Sequence, residues 1–311
     1  MVPFDSGSAT KSTGQTAATV TTAEKAEVAL VDSATGQVTR TIETLPSTDA
    51  QATGAFDGRY AVWKESLQPA NTDQFTVKEW DSTTGAVKTV GGSHTSHGQT
   101  MPSTWEDPVI AGDYAAWVEG LDNNGGAEIV LLDLSTGARS IVRTGHPGWI
   151  TLTRSLLVWA ESSQPGKSTA IHALNLKTRT ATSVPTPLRD VQGAWGFATD
   201  GTYWVWIAGN RPALYEGREG GPTIKLGAIP KGGGSPPVAV AAGIATVPVS
   251  AGGLMIANLN THAWTYEPDA SWAAAADGRL LVTKEAVKGG PAQTPTAIVT
   301  VASVTPMSCS N

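Results

Sequence analysis

A short turn signature recurs along the chain, and a repeat of this kind constrains the fold more than any single motif can. It reads Asp32-Ser-Ala-Thr-Gly36, Asp81-Ser-Thr-Thr-Gly85 and Asp133-Leu-Ser-Thr-Gly137, with weaker copies at Asn175-Leu-Lys-Thr-Arg179 and Asn258-Leu-Asn-Thr-His262. The Asp or Asn side chain can accept backbone N–H groups of a tight turn, and the glycine supplies the positive φ that closes a hairpin. A second motif, a turn pair leading into a short apolar strand, lies upstream of each copy. It appears as Asp57-Gly-Arg-Tyr-Ala-Val-Trp63, Gly112-Asp-Tyr-Ala-Ala-Trp117, Arg154-Ser-Leu-Leu-Val-Trp159, Asp200-Gly-Thr-Tyr-Trp-Val-Trp206 and Asp277-Gly-Arg-Leu-Leu-Val282, with a degenerate copy at Ala242-Gly-Ile-Ala-Thr-Val247. Units therefore begin near residues 50, 105, 149, 195, 237 and 272. Four strands per unit at this spacing, without helical periodicity, predict an all-β fold, a single β-propeller.

The Asp-Gly-x-x-x-Ala-Val-Trp strand followed by x-x-Leu-x-Asp-x-x-Thr-Gly resembles the TolB-type (WD40-like) repeat of six- and seven-bladed propellers. The resemblance covers roughly residues 26 to 305. It departs in lacking most of the Pro-Asp pairs before the first turn and in the degenerate fourth and fifth units. It implies an architecture and leaves function open, because such propellers include binding proteins, peptidase lids, lyases and scaffolds. Six four-stranded blades are favoured, with seven as the alternative. Glu27 to Ile42 carries a third-and-fourth-strand pattern without a first strand of its own, so N- and C-terminal strands are expected to close the ring together. Residues 1–22 are expected to be a flexible lead-in and residues 23–311 the propeller domain.

Composition narrows the function classes. A net charge of −6, with charged residues at 15% and scattered Lys and Arg, argues against a nucleic-acid surface. The single cysteine, Cys309, excludes an internal disulfide and any cysteine-based metal cluster. No apolar run reaches membrane-spanning length, since Pro237–Val249 is interrupted by Gly243 and Pro248. Met1-Val2-Pro3-Phe4-Asp5 lacks the basic start and apolar stretch of a signal peptide. The expected location is secreted or extracytoplasmic in a bacterium, with the signal sequence removed. A monomer without cofactor or metal is expected.

The chain holds 11 Trp against 4 Phe and 5 Tyr, and the repeats sort most of them. Trp63, Trp117, Trp159 and Trp206 end second strands inside aliphatic runs and are expected in the core. Trp105, Trp149, Trp195 and Trp272 stand where first strands begin, near the expected channel mouth. There they would either stack on a planar or sugar ligand or pack between blades. A carboxylate follows three of the core tryptophans two residues on: Glu65, Glu119 and Glu161, with Glu285 in the sixth unit and Ala208 in the fourth. Glu65 and Glu285 join the tryptophans as candidate ligand-binding residues. The loop from Gly91 to Asp107 contains His94 and His97, and His146 lies in the next equivalent loop. With Glu119 and Glu161 these histidines are the candidate acid–base groups.

No phosphate-binding loop, complete calcium loop or Gly-x-Ser-x-Gly elbow is present. The leading expectation is a binding propeller that takes a protein, carbohydrate or small-molecule ligand at a Trp-lined channel mouth. The alternative is a lyase, hydrolase or cyclase using His and Glu at the same mouth, and a scaffold role is a third reading.

Overall fold

Each repeat unit folds into one antiparallel sheet whose strands follow sequence order. The computed structural model describes residues 2–3, 14–22, 24–48, 50–68, 71–96, 99–100, 106–122, 125–162, 169–194, 196–209, 212–229, 238–249, 252–268, 270–276, 279–284 and 295–299. Blade 1 comprises β1 (Val2–Pro3), β2 (Gln15–Thr21), β3 (Ala26–Asp32) and β4 (Val38–Thr44). Blade 2 comprises β5 (Gln51–Phe56), β6 (Tyr60–Gln68), β7 (Asn71–Asp81) and β8 (Val87–Gly92), and is followed by the small ribbon β9 (Thr95–Ser96) and β10 (Gln99–Thr100). Blade 3 holds β11 (Val109–Ala111), β12 (Tyr114–Gly120), β13 (Ala127–Asp133) and β14 (Ala138–Gly145). Blade 4 holds β15 (Pro147–Leu152), β16 (Leu156–Ser162), β17 (Thr169–Asn175) and β18 (Thr180–Thr182). Blade 5 is built from β19 (Gly196–Thr199), β20 (Trp204–Ala208), β21 (Ala213–Gly217) and β22 (Ile224–Ala228). Blade 6 is built from β23 (Ala239–Ala241), β24 (Ile244–Pro248), β25 (Leu254–Asn258) and β26 (Ala263–Glu267). The last sheet contains β27 (Ala270–Ala276), β28 (Arg279–Lys284) and β29 (Pro295–Val299).

The fold is thus the expected all-β propeller, with six four-stranded sheets and, among the described residues, a seventh sheet of three strands. First strands pack on one another around the axis in the order β5, β11, β15, β19, β23 and β27, and the ring closes where β1 meets β27 and β2 meets β5. The N- and C-terminal strands therefore close the ring as adjacent sheets. Strands β1 to β4, more of the N-terminus than six blades require, make a whole blade. Within the stretch expected to be a flexible lead-in, Gln15–Thr21 is a strand with Ala17 and Ala18 fully buried. Its Ala and Thr residues resemble a linker in composition, but small side chains are what the crowded inner strands of a propeller accept. The same crowding fixes Gly54 in β5, where a Cβ would stand 2.1 Å from the Val62 carbonyl oxygen.

Each gap between successive blades holds its own apolar cluster. Trp63 and Trp80 with Phe56 fill the gap between blades 1 and 2, and Trp117 with Phe75 and Leu132 fills the next. Trp159 with Leu131 lies between blades 3 and 4, and Trp204 and Trp206 with Phe197 lie between blades 4 and 5. Trp63, Trp117, Trp159 and Trp206 are buried as expected, none more than 6% exposed, but each lies inside its second strand, not at its end. Burial on this scale contributes about 2–3 kcal/mol per large side chain before entropy is counted. No helix of the described residues is long and apolar enough to cross a membrane.

Candidate functional site

The two ends of the propeller differ in how their loops are made. At one end lie the turns joining strands one to two and three to four. Asp32 Oδ1 accepts the N–H groups of Ala34 and Thr35, and Asp133 Oδ1 accepts those of Ser135 and Thr136. Asn175 and Asn258 cap their turns in the same way. Gly36, Gly85 and Gly137 adopt φ of 71–73°, and the degenerate copies force Arg179 and His262 into the same region at 58°. The opposite end carries the long connections, including residues 93–108 between β8 and β11 and residues 183–195 between β18 and β19. Short capped turns have little freedom to vary, whereas long loops on a rigid scaffold are where recognition groups concentrate.

At the long-loop end, between blades 2 and 3, the carboxylate of Glu119 is 1% exposed. Its Oε1 accepts the Trp117 indole N–H at 2.6 Å and the Gly92 N–H at 3.3 Å. Its Oε2 lies 2.8 Å from both His94 Nε2 and Arg139 Nη2. Gly91 makes this approach possible, since a Cβ there would be 2.6 Å from Glu119 Oε1. Glu128 stands directly across the β12–β13 pairing from Glu119 and is buried as well. Its Oε1 is 3.4 Å from His94 Nε2 and 3.9 Å from Arg139 Nη2.

The preceding blade gap answers the same problem differently. There Lys78 Nζ sits 2.7 Å from Glu43 Oε1 and 2.8 Å from Glu65 Oε2, bridging two carboxylates. Burial works against the Lys78 ammonium, but hydrogen bonds to Glu43 and Glu65 prevail and hold its pKa above the usual lysine value. In the gap between blades 3 and 4, Arg143 makes a bidentate pair with Glu161, and the Trp159 indole donates to Glu161 at 3.3 Å. Burial raises the Glu161 pKa, but Arg143 and Trp159 more than offset it, leaving it below the ordinary range.

Nearer the axis, on the same face, Thr53 and Lys64 are cross-strand partners in blade 2. Lys64 Nζ donates to the Glu106 carbonyl at 3.0 Å and lies over the Phe75 ring. Thr53 Oγ1 donates to Asp107 Oδ1 at 2.5 Å. Desolvation lowers the Lys64 pKa and raises that of Asp107, with each group's charge opposing the other's shift. The channel contains a cavity of about 360 Å³, counting space open to solvent. Its walls are Ala55, Val109, Ile110, Thr151, Leu152, Ala198, Thr199 and Val240, apolar apart from two threonines and without a titratable group.

The structure brings His94 and Glu119 together and keeps the other described candidates apart. His146 Nδ1 pairs with the Gly125 carbonyl at 2.9 Å, and Glu161 is engaged by Arg143. Glu65 faces Lys78 in its blade gap and does not line the cavity. Trp149 is half-buried and packs against the core between blades 4 and 5. Trp272 belongs to β27, opposite Thr283. Trp105, Trp195, His97 and Glu285 lie outside the described residues. Sequence reasoning missed Lys64, Asp107, Glu128 and Arg139. Glu128 was accessible: pairing the two strands around the 121–126 loop places like charges opposite each other, which is unfavourable unless a cation joins them.

No protein-family model matches the chain, and no curated protein does. Solved structures do. A prolyl endopeptidase structure is 13% identical, with 98% of this chain and 48% of that chain covered at a TM-score of 0.59. This chain therefore spans about half the length of that enzyme. Oligogalacturonate lyase from Vibrio parahaemolyticus is 11% identical over 94% of this chain and 88% of that chain, with a TM-score of 0.56. TolB from Acinetobacter baumannii is 18% identical over 90% of this chain and 79% of that chain, at 0.45. At these identities the likeness to the endopeptidase and lyase structures shows the fold alone.

Proposed function

We propose that the chain is an extracytoplasmic binding propeller that takes a protein, carbohydrate or other small-molecule ligand on its long-loop face, where blades 2 and 3 meet. The observation that carries this reading is the Lys64, Asp107 and Thr53 group. Two ionisable side chains with oppositely perturbed pKa values lie beside the channel on the face that bears the longest loops. The extracytoplasmic location rests on composition, namely few charged residues and abundant small polar ones.

The lyase, hydrolase or cyclase reading finds its support in the same pair. An amine with a lowered pKa is a better proton acceptor near neutrality, and a carboxylic acid with a raised one is a better donor. Glu119 is poorly suited to that work, because the Trp117 indole, the Gly92 N–H and Arg139 already donate to its oxygens. Titration of intrinsic tryptophan fluorescence with a neutral oligosaccharide, an oligogalacturonate and a set of short peptides tests binding. Chromatography of the same mixtures tests turnover. Saturable binding without product, weakened in a Lys64→Met variant that circular dichroism shows to be folded at the assay temperature, is the expected result. Product formation abolished by Lys64→Met would establish the enzyme reading instead, and no binding by any class would remove both.

A further inference from the structure

The geometry points to a divalent transition-metal site between blades 2 and 3, with His94 Nε2, Glu119 Oε2 and Glu128 Oε1 as protein ligands. The three donor atoms lie within 4.8 Å of one another. The imidazole nitrogen is 2.8 Å from one carboxylate oxygen and 3.4 Å from the other. Ligands about 2.1 Å from a shared ion stand about 3.0 Å apart at an octahedral edge and about 3.4 Å apart at a tetrahedral one. The two separations from the imidazole nitrogen lie close to those edges, and the carboxylate pair is within 4.8 Å.

Glu128 points to the same site. Its side chain is 7% exposed, directly opposite another buried carboxylate, and no described donor gives it a hydrogen bond of ordinary length. In the neighbouring gap, Lys78 spans Glu43 and Glu65 at 2.7 and 2.8 Å. Between Glu119 and Glu128 no described side chain does the equivalent. Arg139 is close to one carboxylate and 3.9 Å from the other, with 39% of its side chain exposed. Each carboxylate oxygen has two lone pairs, so Arg139 can keep its bond to Glu119 Oε2 while that atom also ligates, acting as an outer-shell partner. Two carboxylates and one guanidinium carry a net charge of −1 beside the imidazole, which favours a divalent cation. One nitrogen and two oxygen donors suit Zn²⁺ or Mn²⁺ better than the all-oxygen preference of Ca²⁺ or Mg²⁺.

Such an ion would tie the start of the 93–108 loop to the second and third strands of blade 3, fixing where that loop leaves the scaffold. Sequence alone assigns no metal here, because the third ligand is visible only through strand register. The test strips the full chain with a chelator, dialyses it against Zn²⁺ and measures bound metal and melting temperature. One zinc per chain and a raised melting temperature are expected. His94→Ala and the near-isosteric Glu128→Gln should each weaken uptake by about tenfold or more, no less than the loss of an outer-shell partner causes. Glu161→Gln, in the next blade gap, should bind as the parent does. Loading with Co²⁺ gives a readout that needs no variant, a paramagnetically shifted imidazole signal. Absence of stoichiometric zinc, uptake unchanged in both ligand variants, displacement of zinc by equimolar Ca²⁺, or no shifted imidazole would each overturn the assignment.

Discussion

Replacing Lys78 with methionine removes the cation that spans Glu43 and Glu65 and leaves two carboxylates facing each other in a blade gap. The lysine side chain is 16% exposed and the Glu65 side chain 6%, so solvent screens the residual repulsion poorly. Breaking a buried ion pair by deleting one partner costs about 3–5 kcal/mol. The exposure of Glu43, at 24%, argues for the lower end, about 3 kcal/mol. With unfolding entropy near 2.1 cal/mol/K per residue, a chain this long loses about 1.5 °C per kcal/mol, so its melting temperature should fall by about 4–5 °C. Urea denaturation of the parent, Lys78→Met, Glu65→Gln and the double variant is the assay. The double variant should be more stable than Lys78→Met alone, because it no longer buries the Glu65 charge. A loss below about 1 kcal/mol, the value of an exposed pair, would refute the claim that these carboxylates are held by blade-gap cations.

Three further outcomes follow from the same contacts. Trp117→Phe keeps an aromatic ring but removes the indole donor to Glu119 and leaves a cavity at a buried site; a loss of at least about 1–3 kcal/mol is expected by urea titration. Gly54→Ala should cost about 3 kcal/mol or more, read as a fall in soluble yield and melting temperature, because its new methyl meets backbone. Glu161 and Asp133 have depressed folded-state pKa values. For Asp133 the Ser135 hydroxyl is the leading cause, and for Glu161 the Arg143 and Trp159 bonds outweigh burial. A depressed carboxylate stabilises the fold above its unfolded value, near 4, and loses that contribution as pH falls through the folded value. Stability should therefore drop between about pH 5 and 3, and Glu161→Gln should show a shallower drop.

What the sequence reveals and hides divides along physical lines. The turns were legible because an Asp or Asn cap and a left-handed fifth residue are local requirements, met even where Arg179 and His262 replace glycine. The core tryptophans were legible because each closes an aliphatic run on one strand. Blade 1 was only half legible, since the Ala and Thr residues of Gln15–Thr21 look alike in a linker and in a crowded inner strand. The pairing of His94 with Glu119 is long-range, across two blades, and the two motifs were read separately. Lys64 is hidden between Trp63 and Glu65, because whether a mid-strand lysine is desolvated depends on the neighbouring blade's loop. Trp149 shows the converse, a residue placed by repetition near the mouth that spends its surface on blade packing.

The central claim is that ligand recognition belongs to the long-loop face between blades 2 and 3. The most direct measurement compares fluorescence titrations of Lys64→Met, on that face, with Asp133→Asn, on the capped-turn face, using whichever probe class the wild type binds. The account predicts at least about tenfold weaker binding, 1.4 kcal/mol, for Lys64→Met and wild-type binding for Asp133→Asn. Equal affinity in Lys64→Met, or a loss confined to Asp133→Asn, would contradict it.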